Sequence, residues 1–216
     1  MGCPVRSCQN KFSIRNYWLF IFFTLLAIGI YAFNFNQKLF LIINSIHGIL
    51  PDNIWLAINY IAAPRHFILA VILVLLALLF RRNQLARLLI LIALYYILFF
   101  GLKRLIGEAR PFIVLPAESF HWLNQVESPI GREYMSFPSG HSGLIAIFVF
   151  SLISLFSIDN KLVQFVLLLF LILVCMARVC TGWHWPLDVI LSALIGYLLV
   201  KICFCCQRNY RSDGCN

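Results

Sequence analysis

The sequence predicts an all-α, polytopic membrane protein with six transmembrane helices and short interfacial helices on the outer face. Three observations carry this prediction: composition, the spacing of apolar runs and the distribution of charge along the chain. Of the 216 residues, 62% are hydrophobic and 12% charged, the mean hydropathy is +0.90, and 20 residues are Phe. A soluble domain of this size exposes far more charged side chain, so the composition excludes an ordinary globular domain, a disordered chain and a disulfide scaffold. No stretch has linker composition and no internal repeat is apparent. One membrane-embedded domain over 1–216 is therefore expected, with short cytoplasmic tails at about 1–16 and 205–216.

The first apolar run, 17–33, follows Arg6, Lys11 and Arg15 as a signal peptide would, but Asn34 and Asn36 to Lys38 come next instead of a small-residue cleavage site. It reads as an uncleaved anchor. From 39 to 61 the apolar pattern is broken by Asn44, His47, Pro51, Asp52, Asn53 and Asn59, which suits short helices lying in the interface. The run 67–80 is short and is expected to borrow 55–63 to reach the roughly 20 residues a span needs. Runs at 85–102, 142–158, 162–177 and 187–204 complete six spans. Between the third and fourth lies a polar stretch from Lys103 to His141, too long for a turn and rich in ionisable residues. Long segments of this kind in compact proteins are usually functional.

Six spans place both termini on one side, together with the loops at 81–87 and 159–161. That side carries ten basic residues against Asp159 and Asp213, whereas the other carries seven against six. Such an excess sets the termini in the cytoplasm of a plasma or inner membrane and turns 34–66, 103–141 and 178–188 outward. The net charge of +9 follows from topology, so nucleic acid is not expected as a partner.

Three clusters fall on the outward face. Lys103 and Arg110-Pro111 open the long loop; alone, such a pair could simply snorkel to lipid phosphates. Ser136-Phe137-Pro138-Ser139-Gly140-His141 closes the loop just before an apolar helix. Its bend turns the free N–H groups of the first helical turn toward an anion, with Ser139 as an extra donor. An ordinary Ser cap explains the same residues but leaves His141 unexplained. The third cluster runs from Arg178 through Trp183-His184-Trp185-Pro186 to Asp188. Pro186 suits the first turn of a helix, which places Asp188 about one turn beyond His184, where a carboxylate can fix the imidazole tautomer and leave the other nitrogen as nucleophile or base. The bland alternative is an interfacial belt of Trp183 and Trp185 with an incidental His. Together the clusters supply a phosphate cradle, a nucleophile and an acid, a combination that favours phosphoryl chemistry.

This arrangement resembles the type 2 phosphatidic acid phosphatase superfamily, whose signatures are Lys-x6-Arg-Pro, Pro-Ser-Gly-His and Ser-Arg-x5-His-x3-Asp. The first two stand intact at Lys103 to Pro111 and Pro138 to His141. The third is matched at Arg178, His184 and Asp188, with Ala177 in place of its leading Ser. The resemblance implies that His184, oriented by Asp188, attacks phosphorus and forms a phosphohistidine. It implies that His141 protonates the leaving oxygen and that Lys103, Arg110, Arg178, Ser139 and the Gly140 N–H bind the phosphate, with no metal or other cofactor. The expected function is an integral membrane lipid phosphatase. A site at helix ends meets a phosphate at head-group depth, and the apolar spans offer no evident polar cavity for a soluble sugar phosphate.

By the resemblance, the substrates are undecaprenyl pyrophosphate, phosphatidylglycerophosphate or phosphatidate. The pyrophosphate ranks first because Arg104 and Arg132 are surplus cations for its second phosphate. Alternatives are a lipid A phosphatase, a lipid-to-lipid phosphotransferase, and a non-catalytic lipid-binding or transport protein. Glu108, Glu118, His121 and Glu133 are expected to be solvated. Cys3, Cys8, Cys203, Cys205, Cys206 and Cys215 are expected to be reduced on the cytoplasmic side, with tail palmitoylation or a metal site as minor alternatives. Cys175 reads as packing, and Cys180 has no assigned role.

Overall fold

The structure, a computed structural model, describes residues 15–33 and 35–205. The tails, with Cys3, Cys8, Cys206 and Cys215, lie outside the described residues. Helices follow one another without strands among the described residues: α1 (Arg15–Ala32), α2 (Asn36–Asn44), α3 (Asp52–Ala62), α4 (Ile68–Phe80), α5 (Leu85–Ile106), the single turn α6 (Pro111–Val114), α7 (Gly140–Phe156), α8 (Lys161–Cys180) and α9 (Pro186–Cys205). Six of these fall where the six apolar runs predicted them. Three, namely α8, α9 and the run that holds α5, are long and apolar enough to cross a bilayer. The other apolar helices, α4 and α7, have 13 and 17 residues. At 1.5 Å per residue, α4 covers only about 20 Å of a roughly 30 Å hydrocarbon core.

The sequence expectation that 55–63 extends α4 is corrected. Ala63 precedes Pro64 and takes an extended conformation, ψ 121°, because the proline ring disfavours the helical region for its predecessor. The chain then makes a 3-10 turn at Pro64–His66, and Phe67 is left-handed, so α3 and α4 are separate helices. A second break separates α1 from the following segment: Thr24–Ala32 and Asn36–Ile49 meet at 108°. The polar residues at 44–59 do divide that region into short helices, as their spacing predicts.

Helix α7 is the centre of the fold. Leu144, Ile145, Ile147 and Val149 are all buried although they point in different directions around the axis. A helix apolar on every side belongs inside a bundle; α4, α5, α8 and α9 surround this one. Its closest neighbour is α9, and small residues permit the approach. A Cβ at Gly196 would lie 2.7 Å from the Gly143 carbonyl oxygen, and one at Gly143 would collide with the Phe99 ring of α5. The outer surfaces are apolar as well. Leu79 on α4, Ile97 on α5 and Leu162 on α8 are 69%, 72% and 69% exposed, a surface suited to lipid and not to water.

Candidate active site

The three clusters meet at the end of the bundle where α5 and α8 finish and α7 and α9 begin. Lys103 lies in the last turn of α5, Arg178 in the last turn of α8, His141 in the first turn of α7 and Asp188 in the first turn of α9. The segment 107–139 folds back across them. Its two ends are joined by the Arg110 N–H donating to the Glu133 carbonyl at 2.9 Å and the Ser136 N–H to the Glu108 carbonyl at 2.9 Å. Leu123 N–H donates to the Thr181 carbonyl at 3.1 Å and ties the segment to the α8–α9 turn. Gly182 makes that turn possible: its φ is +77°, and a Cβ there would lie 2.8 Å from the His121 carbonyl.

His184 sits in this turn with its side chain 2% exposed. Its Nδ1 is 3.3 Å from Asp188 Oδ2, and its Nε2 is 3.4 Å from Arg110 Nη1. A guanidinium only donates and a carboxylate only accepts, so the neighbours select the tautomer with hydrogen on Nδ1 and the lone pair on Nε2. Asp188 Oδ2 also accepts from the Trp185 N–H at 3.0 Å and from the Ser136 hydroxyl. Glu108 is half-buried beside Asp188. Burial, followed by Arg110, Arg178, Lys103 and His141, holds the His184 imidazole well below its ordinary value of 6.5 and keeps it neutral.

The cations are fixed from behind. Arg110 donates from Nε to the Arg132 carbonyl at 2.9 Å and from Nη1 to the Trp183 carbonyl at 2.8 Å. Lys103 Nζ donates to the Met135 carbonyl at 2.8 Å. Arg178, fully buried, donates from Nη1 to Asn59 Oδ1 and from Nη2 to Glu127 Oε1 at 3.0 Å. Both guanidiniums lie by the Trp183 ring, 5.0 Å and 5.8 Å from its centroid, within cation–π range. Trp183 is completely buried, with its indole N–H on the Leu123 carbonyl at 2.7 Å, and Trp185 is 6% exposed. This corrects the interfacial-belt alternative: both rings are packing and positioning groups.

Glu127 is the residue that spacing alone did not reveal. Its carboxylate is 7% exposed, receives Arg178 and the Arg132 Nη1 at 2.6 Å, and lies 3.7 Å from His141 Nδ1. Burial would raise this carboxyl, but Arg178, His141, Arg110 and Arg132 outweigh burial and hold it well below the usual carboxylate range. Asn59 and Ser136 are the other unforeseen members. A Glu in a polar loop and an Asn in a short helix carry no local signal of contacts 51 and 119 positions away.

The structure therefore brings together Lys103, Arg110, His141, Arg178, His184 and Asp188. Ser139 is present, but its Oγ caps α7, accepting from the Ser142 N–H at 3.4 Å and paired with the Ser142 hydroxyl at 3.0 Å, while its own N–H donates to Ser192 Oγ at 2.7 Å. Gly140 packs against Pro64 and gives its carbonyl to the Tyr95 hydroxyl at 2.7 Å. Several expectations are corrected. Glu108 is only half-exposed and lies beside Asp188. His121 is partly buried, stacked on His47 at 3.9 Å and 3.1 Å from Asp52. Of the two surplus cations, Arg132 is paired with Glu127, and Arg104 stands exposed over the Phe100 ring at 4.2 Å. No group of three or more His, Cys, Asp or Glu among the described residues is arranged to hold a metal ion.

A profile described as the PAP2 superfamily matches residues 84–212, more than half of the chain and all three clusters. The chain belongs to the PAP2 superfamily. It is similar to the crystal structure of Aquifex aeolicus LpxE, with 26% identity and a TM-score of 0.64 over 78% of this chain and 94% of that one. It is also similar to the first transmembrane PAP2 type phosphatidylglycerolphosphate phosphatase from Bacillus subtilis, with 25% identity and a TM-score of 0.61 over 87% and 92%. No curated protein matches the chain at a significant level. With its bilayer-length helices, this PAP2 member is an integral membrane protein of a phosphatase family.

Proposed function

We propose that this protein is a membrane lipid phosphatase that removes a terminal phosphate through a phosphohistidine. The observation that carries the reading is the placement of His184: Asp188 on Nδ1, a guanidinium beside Nε2, and Arg178 and Lys103 near enough to shift its titration. Nε2 donates its lone pair to phosphorus as the bond to the leaving oxygen breaks, and Asp188 holds the Nδ1 proton and balances the charge gained by the ring. His141 gives a proton to the leaving oxygen, and then takes one from the water that cleaves the P–N bond and regenerates His184. Lys103, Arg110, Arg178 and the first-turn N–H of Gly140 neutralise the equatorial oxygens. The buried Nε of Arg178 and Nε2 of His141 make no hydrogen bond among the described residues, and phosphate oxygens suit both. Cationic side chains take the part that metal ions play in other phosphatases, so activity is expected to survive EDTA and to fall with vanadate.

The substrate belongs to the class of undecaprenyl pyrophosphate, phosphatidylglycerophosphate, phosphatidate and the 1-phosphate of lipid A. The likeness to a phosphatidylglycerolphosphate phosphatase and the position of the site at helix ends support a lipid leaving group. Six spans, a cytoplasmic location for both termini and an outward-facing site complete the proposal, supported by the charge distribution. A phosphate-release panel with purified protein in mixed micelles tests it, comparing these lipids with glucose 6-phosphate. A higher kcat/KM for the sugar phosphate overturns the lipid assignment. A cysteine introduced at exposed Glu118 in a protein stripped of native thiols is expected to react with an impermeant reagent from outside intact cells, and one at Asn83 is not; reversed labelling overturns the topology.

A further inference from the structure

We infer that Glu127 sets the charge this site accepts, making it selective for a phosphomonoester dianion over a diphosphate. The inference rests on the phosphatase reading and narrows it. Lys103, Arg110, Arg132 and Arg178 all act on Glu127 electrostatically, and among the described residues it is the only carboxylate in direct contact with two of them. The buried Glu127 carboxylate therefore cancels part of the positive charge that a phosphate would otherwise meet.

A diphosphate brings at least one further charge. Within the cluster, two of the cations are already engaged by Glu127. Arg132, 41% exposed and the outermost of the four cations, is held at 2.6 Å by Glu127 Oε2. Arg178 has Nη1 on Asn59 and Nη2 on the other Glu127 oxygen, while its buried Nε has no partner among the described residues. A second phosphate must either displace the Glu127 carboxylate from both guanidiniums or lie beside it in a buried site. Like charges repel strongly where water is excluded, so discrimination here comes from a repulsive element inside the cradle. The same carboxylate is 3.7 Å from His141 Nδ1, which ties the selection to the group that meets the leaving oxygen.

The test uses farnesyl phosphate and farnesyl diphosphate, which differ only in the phosphate group, with purified full-length protein in mixed micelles. The wild type is expected to favour the monophosphate by at least tenfold in kcat/KM. Glu127→Gln should shrink or reverse that ratio by at least tenfold, mainly through KM for the diphosphate, whereas Glu127→Asp should restore it. Arg132→Gln, at a partly exposed position, removes a cation and should widen the ratio; its opposite sign decides the matter if Glu127→Gln does not fold. A ratio unchanged in the folded Gln variant, or equal losses of kcat on both substrates, overturns the inference. If the wild type hydrolyses neither farnesyl lipid, the phosphate-release panel decides the phosphatase reading separately. The charge rule is then read from tryptophan quenching by inorganic phosphate and pyrophosphate. Selective tightening of pyrophosphate in Glu127→Gln supports the rule, and a parallel change for both anions refutes it.

Discussion

Two histidine–carboxylate pairs face each other across the site, and they are built differently. His184 and Asp188 stand four residues apart where the chain enters α9, and Asp188 is fixed by the adjacent Trp185 N–H. His141 and Glu127 come from the first turn of α7 and the preceding loop, 3.7 Å apart, and Glu127 makes its hydrogen bonds to arginines instead of to the imidazole. In the first pair the carboxylate faces the imidazole Nδ1. In the second it is engaged by two arginines. Residue type alone would have made them equivalent, and their partners make them distinct.

The largest expected effect separates the two histidines. His184→Ala should lower phosphate release by at least about 10⁴-fold, because it removes the attacking atom. His141→Ala should cost about 10²–10⁴-fold, the usual contribution of a general acid. With an activated leaving group such as p-nitrophenolate, the His141 deficit should shrink and the His184 deficit should persist. Equal deficits on both substrates would remove the distinction between the pairs.

A smaller effect concerns the support of Asp188. Asp188→Asn should slow turnover by about 10²-fold or more through loss of the Nδ1–H tautomer. Ser136→Ala deletes one donor to the same oxygen, and a charged hydrogen bond of about 1.5–3 kcal/mol predicts roughly a tenfold to hundredfold loss in kcat with little change in KM. A Ser136 effect confined to KM would place that hydroxyl on the substrate.

The smallest effect is in pH dependence. His184 has its titration displaced below 6.5 by burial and neighbouring cations, so it is protonated only at lower pH and the nucleophile persists into mild acid. The acid limb of kcat/KM, which reports the free enzyme, should therefore lie below the ordinary imidazole value of 6.5. Replacing Arg110 by Gln removes the largest charge opposing protonation and should move the limb upward. An acid limb at 6.5 or above in the wild type contradicts the cationic surroundings of His184.

The local part of this molecule was legible in the sequence. Apolar runs placed six helices, because an apolar stretch of adequate length next to lipid or core has no alternative that satisfies its backbone. Lys103, Arg110, His141, Arg178, His184 and Asp188 were legible because each lies at a helix end or in a short turn, where spacing decides which way a side chain faces. The tertiary structure decided the rest. Whether 55–63 continued into α4 depended on the turn at Pro64 and on Phe67, not on hydropathy. Arg132 and Glu108 look like free surface charges in sequence, yet folding the loop over the bundle pairs one with Glu127 and brings the other beside Asp188. Trp183 reads as an interfacial aromatic until the α8–α9 turn buries it beside two arginines. Composition and spacing determine which groups reach one end of a helical bundle, since those depend on neighbours along the chain. Which charges then neutralise one another depends on distances between residues far apart in sequence, and only the packed loop sets those.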